Sequence, residues 1–303
     1  MALYVDDTAV RRLLRLEDLL GGMRRALIDL SAGKVVQPLR TVMDIPAEKG
    51  FFLIKPVLTE RALAAKLITL IPGNAARGLP TLLATIVLMD PSTGEPLAVM
   101  DGTWITALRT AAVTAVAADA LSPQGPKVVA FLGSGALARS HAIALRAVRP
   151  VTQIRIWSRD PANVARCAAE TGAVACASAE VAVRGADIVC TLTNATEPVL
   201  RGAWLKPGAF VAAVGAPRPN WRELDDEAMR NIVVADSRES AEQEAGDVIL
   251  SGAKLFAEIG EILGGTRPKP PAGATVVFKS LGQAVEDAYA ARLVYDAAIA
   301  VQR

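Results

Sequence analysis

Apolar and polar positions between residues 127 and 157 follow a fixed order. A short apolar run at residues 128–132 ends in Gly133-Ser134-Gly135. A helix-compatible stretch, ALARSHAIALRAV, follows at once, and a second apolar run occupies residues 154–157. The pattern predicts strand, glycine turn, helix and strand. Further apolar runs recur at 174–178, 187–193, 209–215 and 231–236, separated by segments of helical character. That alternation predicts a Rossmann-type, doubly wound parallel sheet of the α/β class. The leading part of the chain reads differently. Residues 10–33 keep helical periodicity up to Gly33, and strand-like runs follow at 39–45, 50–57, 62–71 and 82–89. An alanine-rich helix is predicted from about residue 104 to 121, stopped by Ser122-Pro123. The Pro/Gly-rich segment 265–273 reads as a boundary, followed by a strand-like TVVFKS and a closing helix from 281 to about 300.

The glycine turn gives the first chemistry. Gly133 permits the tight turn, Gly135 lets backbone approach a pyrophosphate, and Ala138 stands where a third glycine would let helix and strand pack closely. Phosphates would sit on the unpaired N–H groups at the helix start, beside Ser134, Ala136 and Leu137. A second strand ending about 20 residues later supports a nicotinamide or flavin dinucleotide. NAD-preferring sites place an acid at the end of that strand, where it accepts from a ribose hydroxyl. This chain has Ser158 and Arg159 there, a hydroxyl and a guanidinium suited to a 2′-phosphate, and Asp160 comes late for the hydroxyl-binding role. NADPH is the expected cofactor, with NADH possible.

Totals narrow the class. At 303 residues, 52% apolar and 21% charged, the chain is long enough for two domains with proper cores. A net charge of +2 and the lack of a basic stripe argue against nucleic acid as a partner. No uninterrupted apolar run reaches membrane-spanning length and MALYVDDTAVRR lacks a signal core, so the expectation is no membrane and a cytoplasmic location. Cys167, Cys176 and Cys190 show no CxxC spacing, which predicts no metal; Cys176 and Cys190 read as buried small hydrophobes. The lone histidine, His141, reads as a structural residue of its helix.

Three cations stand in otherwise apolar or neutral segments of the leading domain: Arg40 in QPLRTVM, Lys66 in LAAKLITLI and Arg109 on the alanine-rich helix. Any one alone would be read as snorkelling to the surface. Together, on separate elements, they suggest a pocket for an anion, with a substrate carboxylate supplying the missing negative charge. Glu244, after the 231–236 strand, is a candidate acid or acceptor near the carboxyl edge of the sheet.

QPLRTV, LAVMDGTWITALRTAAVTAVAA, FLGSGALARSH, IRIWSRD, TEPVL, VGAPRPNWRELDDEAM, EAGDVILSGAKLFAEIGEIL and VVFKSLGQAVEDAYAARLVYD occur in this order. The set resembles the ornithine cyclodeaminase/mu-crystallin family along almost the whole chain, and the mu-crystallin (ketimine reductase) branch in particular. The resemblance implies a substrate-binding and dimerisation domain of α+β type from residues 1–118 and 276–303, a dinucleotide domain over 119–275, and a homodimer. It implies NAD(P) chemistry on small carboxylate-bearing imino or amino acids. Arg40, Lys66 and Arg109 match the family's carboxylate-binding cations, and Glu244 a polar active-site carboxylate. Thr110 matches a cofactor-phosphate contact, Ser158-Arg159 the 2′-phosphate grip, and Thr191, Thr193, Val214 and Ser280 the cofactor-lining segments.

Departures from the family pattern sharpen the expectation. Ornithine cyclodeaminases carry an aspartate where this chain has Pro217, which can neither accept a proton nor bind an ammonium group. Thr81-Leu82 stand where the mu-crystallin branch has serine and histidine, Leu137 replaces a frequent glutamine, and Lys55 precedes Pro56 where methionine is usual. Thr81 is retained as a substrate-side candidate. The expected activity is NADPH-dependent reduction of small cyclic 2-imino acids, such as Δ1-piperideine-2-carboxylate or Δ1-pyrroline-2-carboxylate. Catalysis would use Lys66, Arg109 and Glu244, with Lys66 or Glu244 keeping the imine protonated. The alternatives are an ornithine cyclodeaminase or alanine-dehydrogenase-like deaminase, and a non-catalytic NADP(H)-dependent binding protein.

Overall fold

The computed structural model describes residues 2–301 and separates into two compact units. Unit 1 is built from the chain up to Arg109 and again from Gln283 onward; unit 2 is Thr110–Gly282. In unit 1 the order is β1 (Leu3–Val5), α1 (Asp7–Leu13), α2 (Leu16–Ser31), β2 (Thr41–Ile45), β3 (Gly50–Leu58), β4 (Leu63–Leu70), β5 (Leu82–Met89), β6 (Pro96–Asp101) and the first turns of α3 (Thr103–Leu121). Unit 2 runs β7 (Lys127–Leu132), α4 (Ala136–Val148), β8 (Val151–Trp157), α5 (Pro161–Thr171), β9 (Val174–Ala175), α6 (Ala179–Val183), β10 (Ile188–Thr191) and β11 (Phe210–Ala213). It continues through α7 (Asp226–Met229), β12 (Ile232–Ala235), α8 (Arg238–Glu244), α9 (Gly246–Ser251), β13 (Leu255–Glu258), α10 (Ile259–Gly264) and β14 (Val276–Lys279). The last helix, α11 (Ala284–Val301), returns to unit 1.

The six strands of unit 1 lie in the order β1-β6-β5-β4-β3-β2, antiparallel except for the β1–β6 pair. Helix α11 packs on β3, β4, β5 and β6 and also against α2. Along β4 burial alternates, so Ala64, Lys66 and Ile68 share the buried face. A period of two is what a sheet covered on one side requires. The helical pattern of residues 10–33 resolves into two helices rather than one. Leu14 turns extended (φ −85°, ψ 94°) to bury its side chain, and Arg15 opens α2.

All eight strands of unit 2 are parallel, in the order β13-β12-β14-β11-β10-β7-β8-β9. From β7 the chain winds one way through β8 and β9 and the other way through β10 and β11. The strand order therefore reverses between β7 and β10, the position at which such sheets hold ligands beyond their carboxyl ends. β14 sits between β11 and β12, inside this sheet. A boundary after residue 275 would have assigned that strand to the other domain; the Pro/Gly-rich 265–273 segment is instead an internal loop, and the chain leaves unit 2 at Gly282. The 174–178 run keeps only Val174–Ala175 as strand, because Ser178 caps α6 through its side chain. Cys167 and Cys190 are buried, whereas Cys176 is half-buried, contrary to the expectation from its apolar neighbours. Helix α3 is long and apolar enough to cross a membrane by length and composition alone, yet 78% of it is buried.

Candidate active site

Unit 1 gathers its isolated cations around two acids. β3 and β4 pair with Lys55 directly opposite Lys66, and both side chains are buried. Like charges opposed across strands destabilise a sheet unless an anion lies between them. That anion is Asp287, in the first turn of α11, where a carboxylate is also favoured by the helix dipole. Lys66 Nζ donates to Asp287 Oδ1 at 2.6 Å and to Thr106 Oγ1 at 3.3 Å, and Lys55 Nζ lies 3.8 Å from Asp287 Oδ2. Arg109 donates through Nε to Asp287 Oδ1 at 2.9 Å and through an Nη to Glu286 Oε2 at 2.5 Å. Arg40, half-buried before β2, repels the Lys55 ammonium.

The charges are unequal. Lys55, Lys66 and Arg109 carry three positive charges against two carboxylates, Glu286 and Asp287. Burial, reinforced by Arg109 and Lys55 and opposed by Asp287, holds the Lys66 ammonium well below the usual lysine range. Burial likewise brings Lys55 down to about 8. For Asp287 burial works the other way, but Arg109, Lys66 and Lys55 outweigh it and depress the carboxyl to about 2. The lysines are therefore the groups that give way when charge is crowded, while the acid stays ionised. The negative charge is thus not missing: two acids in the VEDA segment supply most of it, and one positive charge is in excess when both lysines are protonated.

In unit 2 the glycine turn follows β7. Gly133 has φ +123°, and a Cβ there would meet the Leu192 carbonyl at 2.6 Å, so only glycine fits. Gly135 caps α4 without a side chain, leaving its first N–H groups open, and a Cβ there would meet nothing within 4 Å. That open cradle at the start of a 13-residue helix fits a pyrophosphate. Ser134 is held by Asn163, which donates to its carbonyl and its Oγ at 3.1 and 2.9 Å, and its hydroxyl lies 2.7 Å from Ser158 Oγ. Asp160 accepts from the N–H groups of Ala162 and Asn163 as the N-cap of α5, so its Oδ1 is occupied. Arg159 is exposed and, among the described residues, makes no ion pair.

The other candidates fall as follows. Thr110, Thr191, Val214 and Ser280 are buried, Thr193 half-buried, and Ala136 and Leu137 open α4. Glu244 is half-buried at the end of α8, and Thr81 is exposed on the turn before β5, where its carbonyl accepts from Ile71 N–H. His141 is buried: Nδ1 donates to the Leu137 carbonyl at 2.7 Å, which leaves Nε2 to accept from Thr114 Oγ1 at 3.0 Å. Burial depresses its pKa to about 4, so it is a neutral structural residue near pH 7. Asp287, Glu286 and Glu223, none of them singled out from the sequence, are buried polar centres. Adjacent acids on the first turn of a mostly apolar closing helix were the available signal for the first two.

Comparison with known proteins decides the family, whose sequence pattern matches residues 3–302. The chain belongs to the ornithine cyclodeaminase/mu-crystallin family. It is 48% identical over 269 residues to the ketimine reductase mu-crystallin of Mus musculus, spanning 87% of this chain and 86% of that one. The Δ1-pyrroline-2-carboxylate/Δ1-piperideine-2-carboxylate reductase of Azospirillum brasilense is 35% identical, spanning 96% and 94%. Among solved structures, the Thermococcus litoralis Δ1-pyrroline-2-carboxylate reductase in complex with NADH and L-proline matches with a TM-score of 0.93. It is 33% identical and covers 99% of this chain and 98% of that one.

Proposed function

We propose that this protein is an NAD(P)H-dependent reductase of small 2-imino acids, cyclic ones foremost. The observation that carries the reading is the buried group of Lys55, Lys66 and Arg109, which with both lysines protonated exceeds its two carboxylates by one positive charge. A substrate carboxylate balances that excess, with Arg40 adding to the attraction. The family relatives that reduce Δ1-pyrroline-2-carboxylate and Δ1-piperideine-2-carboxylate support the choice of substrate class.

Bound dinucleotide would supply hydride to the imine carbon. Gly133, Ser134, Gly135, Ala136 and Leu137 would hold its pyrophosphate, and Thr191, Thr193, Val214 and Ser280 would line the other half. The chain's own contribution is binding and proton control. Arg109 presents a rigid fork fixed by Glu286 and Asp287, so it holds a carboxylate in one orientation. Lys66, whose proton is loosened by burial and by Arg109, keeps the imine nitrogen protonated, and Glu244 is the secondary candidate. Thr81 stays a peripheral substrate-side candidate. Pro217 has no proton to exchange, which suits reduction of an existing C=N bond better than deamination of ornithine.

NADPH is the proposed preference. Asp160 commits Oδ1 to the α5 cap, while Arg159 and Ser158 stand at the end of β8. A homodimer is proposed as well, with edge strand β2 exposing Val42 and Met43 on unit 1. The test is NADPH and NADH oxidation against a panel of cyclic 2-imino acids, with ornithine in the presence of NAD as comparison. Turnover of the imines supports the proposal. Nucleotide binding without turnover would leave a binding protein, and proline with ammonia from ornithine would make it a cyclodeaminase.

A further inference from the structure

Beyond the residues assigned so far, one buried carboxylate collects four donors in unit 2. Glu223 is fully buried. Its Oε1 accepts from Thr193 N–H at 2.7 Å and Thr193 Oγ1 at 2.6 Å. Its Oε2 accepts from Thr191 Oγ1 at 2.7 Å and Gly215 N–H at 2.8 Å. Lys279, at the end of β14, donates to the Gly215 carbonyl at 2.6 Å and to Asp247 Oδ2 at 2.8 Å. Asp247 closes the ring by accepting from the backbone N–H groups of Glu223 and Leu224 at 2.8 and 3.0 Å. Gly215 is thus gripped on both sides, its N–H by an acid and its C=O by an ammonium. The approach is so close that a Cβ on Gly215 would lie 2.0 Å from the Thr193 carbonyl. The next residue, Ala216, is held at φ +52°, a left-handed conformation that costs a non-glycine residue on the order of 1 kcal/mol.

The location gives the arrangement its meaning. These groups lie at the carboxyl ends of β10, β11 and β14. With the pyrophosphate on the turn after β7 and the adenine ribose at the end of β8, a dinucleotide extends the opposite way, over β10 and β11. We infer that Glu223 is a positioning residue for the nicotinamide half of the dinucleotide, holding the segments after β10 and β11 in register, with Lys279 and Asp247 fixing it from behind. The inference rests on the dinucleotide reading of unit 2. Both threonine hydroxyls give their proton to Glu223, so each keeps only lone pairs for any other partner. A glutamine at 223 cannot reproduce this: its amide oxygen serves one pair of donors, and its NH2 then faces the Gly215 N–H.

The ring carries one cation and two acids, so Glu223→Gln raises its net charge from −1 to zero and leaves the Lys279–Asp247 pair in place. Direct titration of the folded variant with NADPH should show Kd raised about tenfold or more, the scale on which orienting partners act. The adenine-side fragment 2′,5′-ADP, which never reaches β10 or β11, should bind within about twofold of wild type, a difference well under 1 kcal/mol. Thr191→Val should weaken NADPH binding in the same selective way, and Thr191→Ser should restore it. Unchanged NADPH affinity in both Glu223→Gln and Thr191→Val, or equal losses for NADPH and the fragment, overturns the inference. Wild-type titration and imine turnover test the underlying reading separately, since failure there would appear before any substitution is made.

Discussion

Replacing Asp287 by asparagine removes the charge that lets two lysines face each other across β3 and β4. Its size can be worked in two ways. A carboxyl held at about 2 instead of its ordinary 3.8 contributes roughly 2–3 kcal/mol at neutral pH. Removing one partner of a buried ion pair costs about 3–5 kcal/mol, because the remaining charges stay buried. The larger figure applies here: asparagine leaves Lys55, Lys66 and Arg109 with Glu286 alone. Lys66→Met should cost less, since Asp287 keeps Arg109 at 2.9 Å and the opposed lysine pair is relieved. In the Lys66→Met background, Asp287→Asn should then be milder than in wild type by on the order of 2 kcal/mol. Urea midpoints at constant slope give the values, and hydrogen exchange of β4 amides assigns them to unit 1. The pH dependence carries its own sign. Asp287's contribution is complete above about pH 4 and is lost as pH falls toward 2, so the asparagine variant should lack that acid-dependent part. Equal costs with and without Lys66 would refute the reasoning.

Three further outcomes follow from the same groups. Arg109→Ala should raise KM for the imine and lower kcat together, because binding and orientation share one guanidinium; steady-state kinetics at saturating nucleotide check it. Lys55 is a cation below about pH 8 and neutral above it, so KM for a carboxylate substrate should climb as pH rises through that value, and Lys55→Met should flatten the profile. Arg159→Ala should raise KM for NADPH by about tenfold while changing KM for NADH little, which is the signature of a lost 2′-phosphate contact.

Much of unit 2 was legible because its signals are local. The glycine turn, the strand before it and the helix after it lie within about twenty residues, and most of the parallel strands are largely apolar runs. The cation site was only half legible. Lys66 announces itself by standing on the buried face of an alternating strand, but its partner lies 221 residues away, so no window of sequence contains both. Residues 265–273 misled for a physical reason: proline and glycine mark exposed backbone, and an exposed loop inside a domain has the same composition as one between domains. The Glu223 ring was hidden because nothing in RELDDEAM distinguishes the inward acid from the helix-capping Asp225 or the exposed Asp226 and Glu227 beside it.

Return of the final helix to the first unit has a consequence for how the molecule is made. A ribosome delivers both strand lysines long before their counter-ion, which follows Lys66 by 221 residues. Until the closing helix emerges, the leading sheet must either stay open to water or carry its ammonium groups deprotonated. The nucleotide unit, complete at Gly282, is free to form before the closing helix that its partner needs has been made.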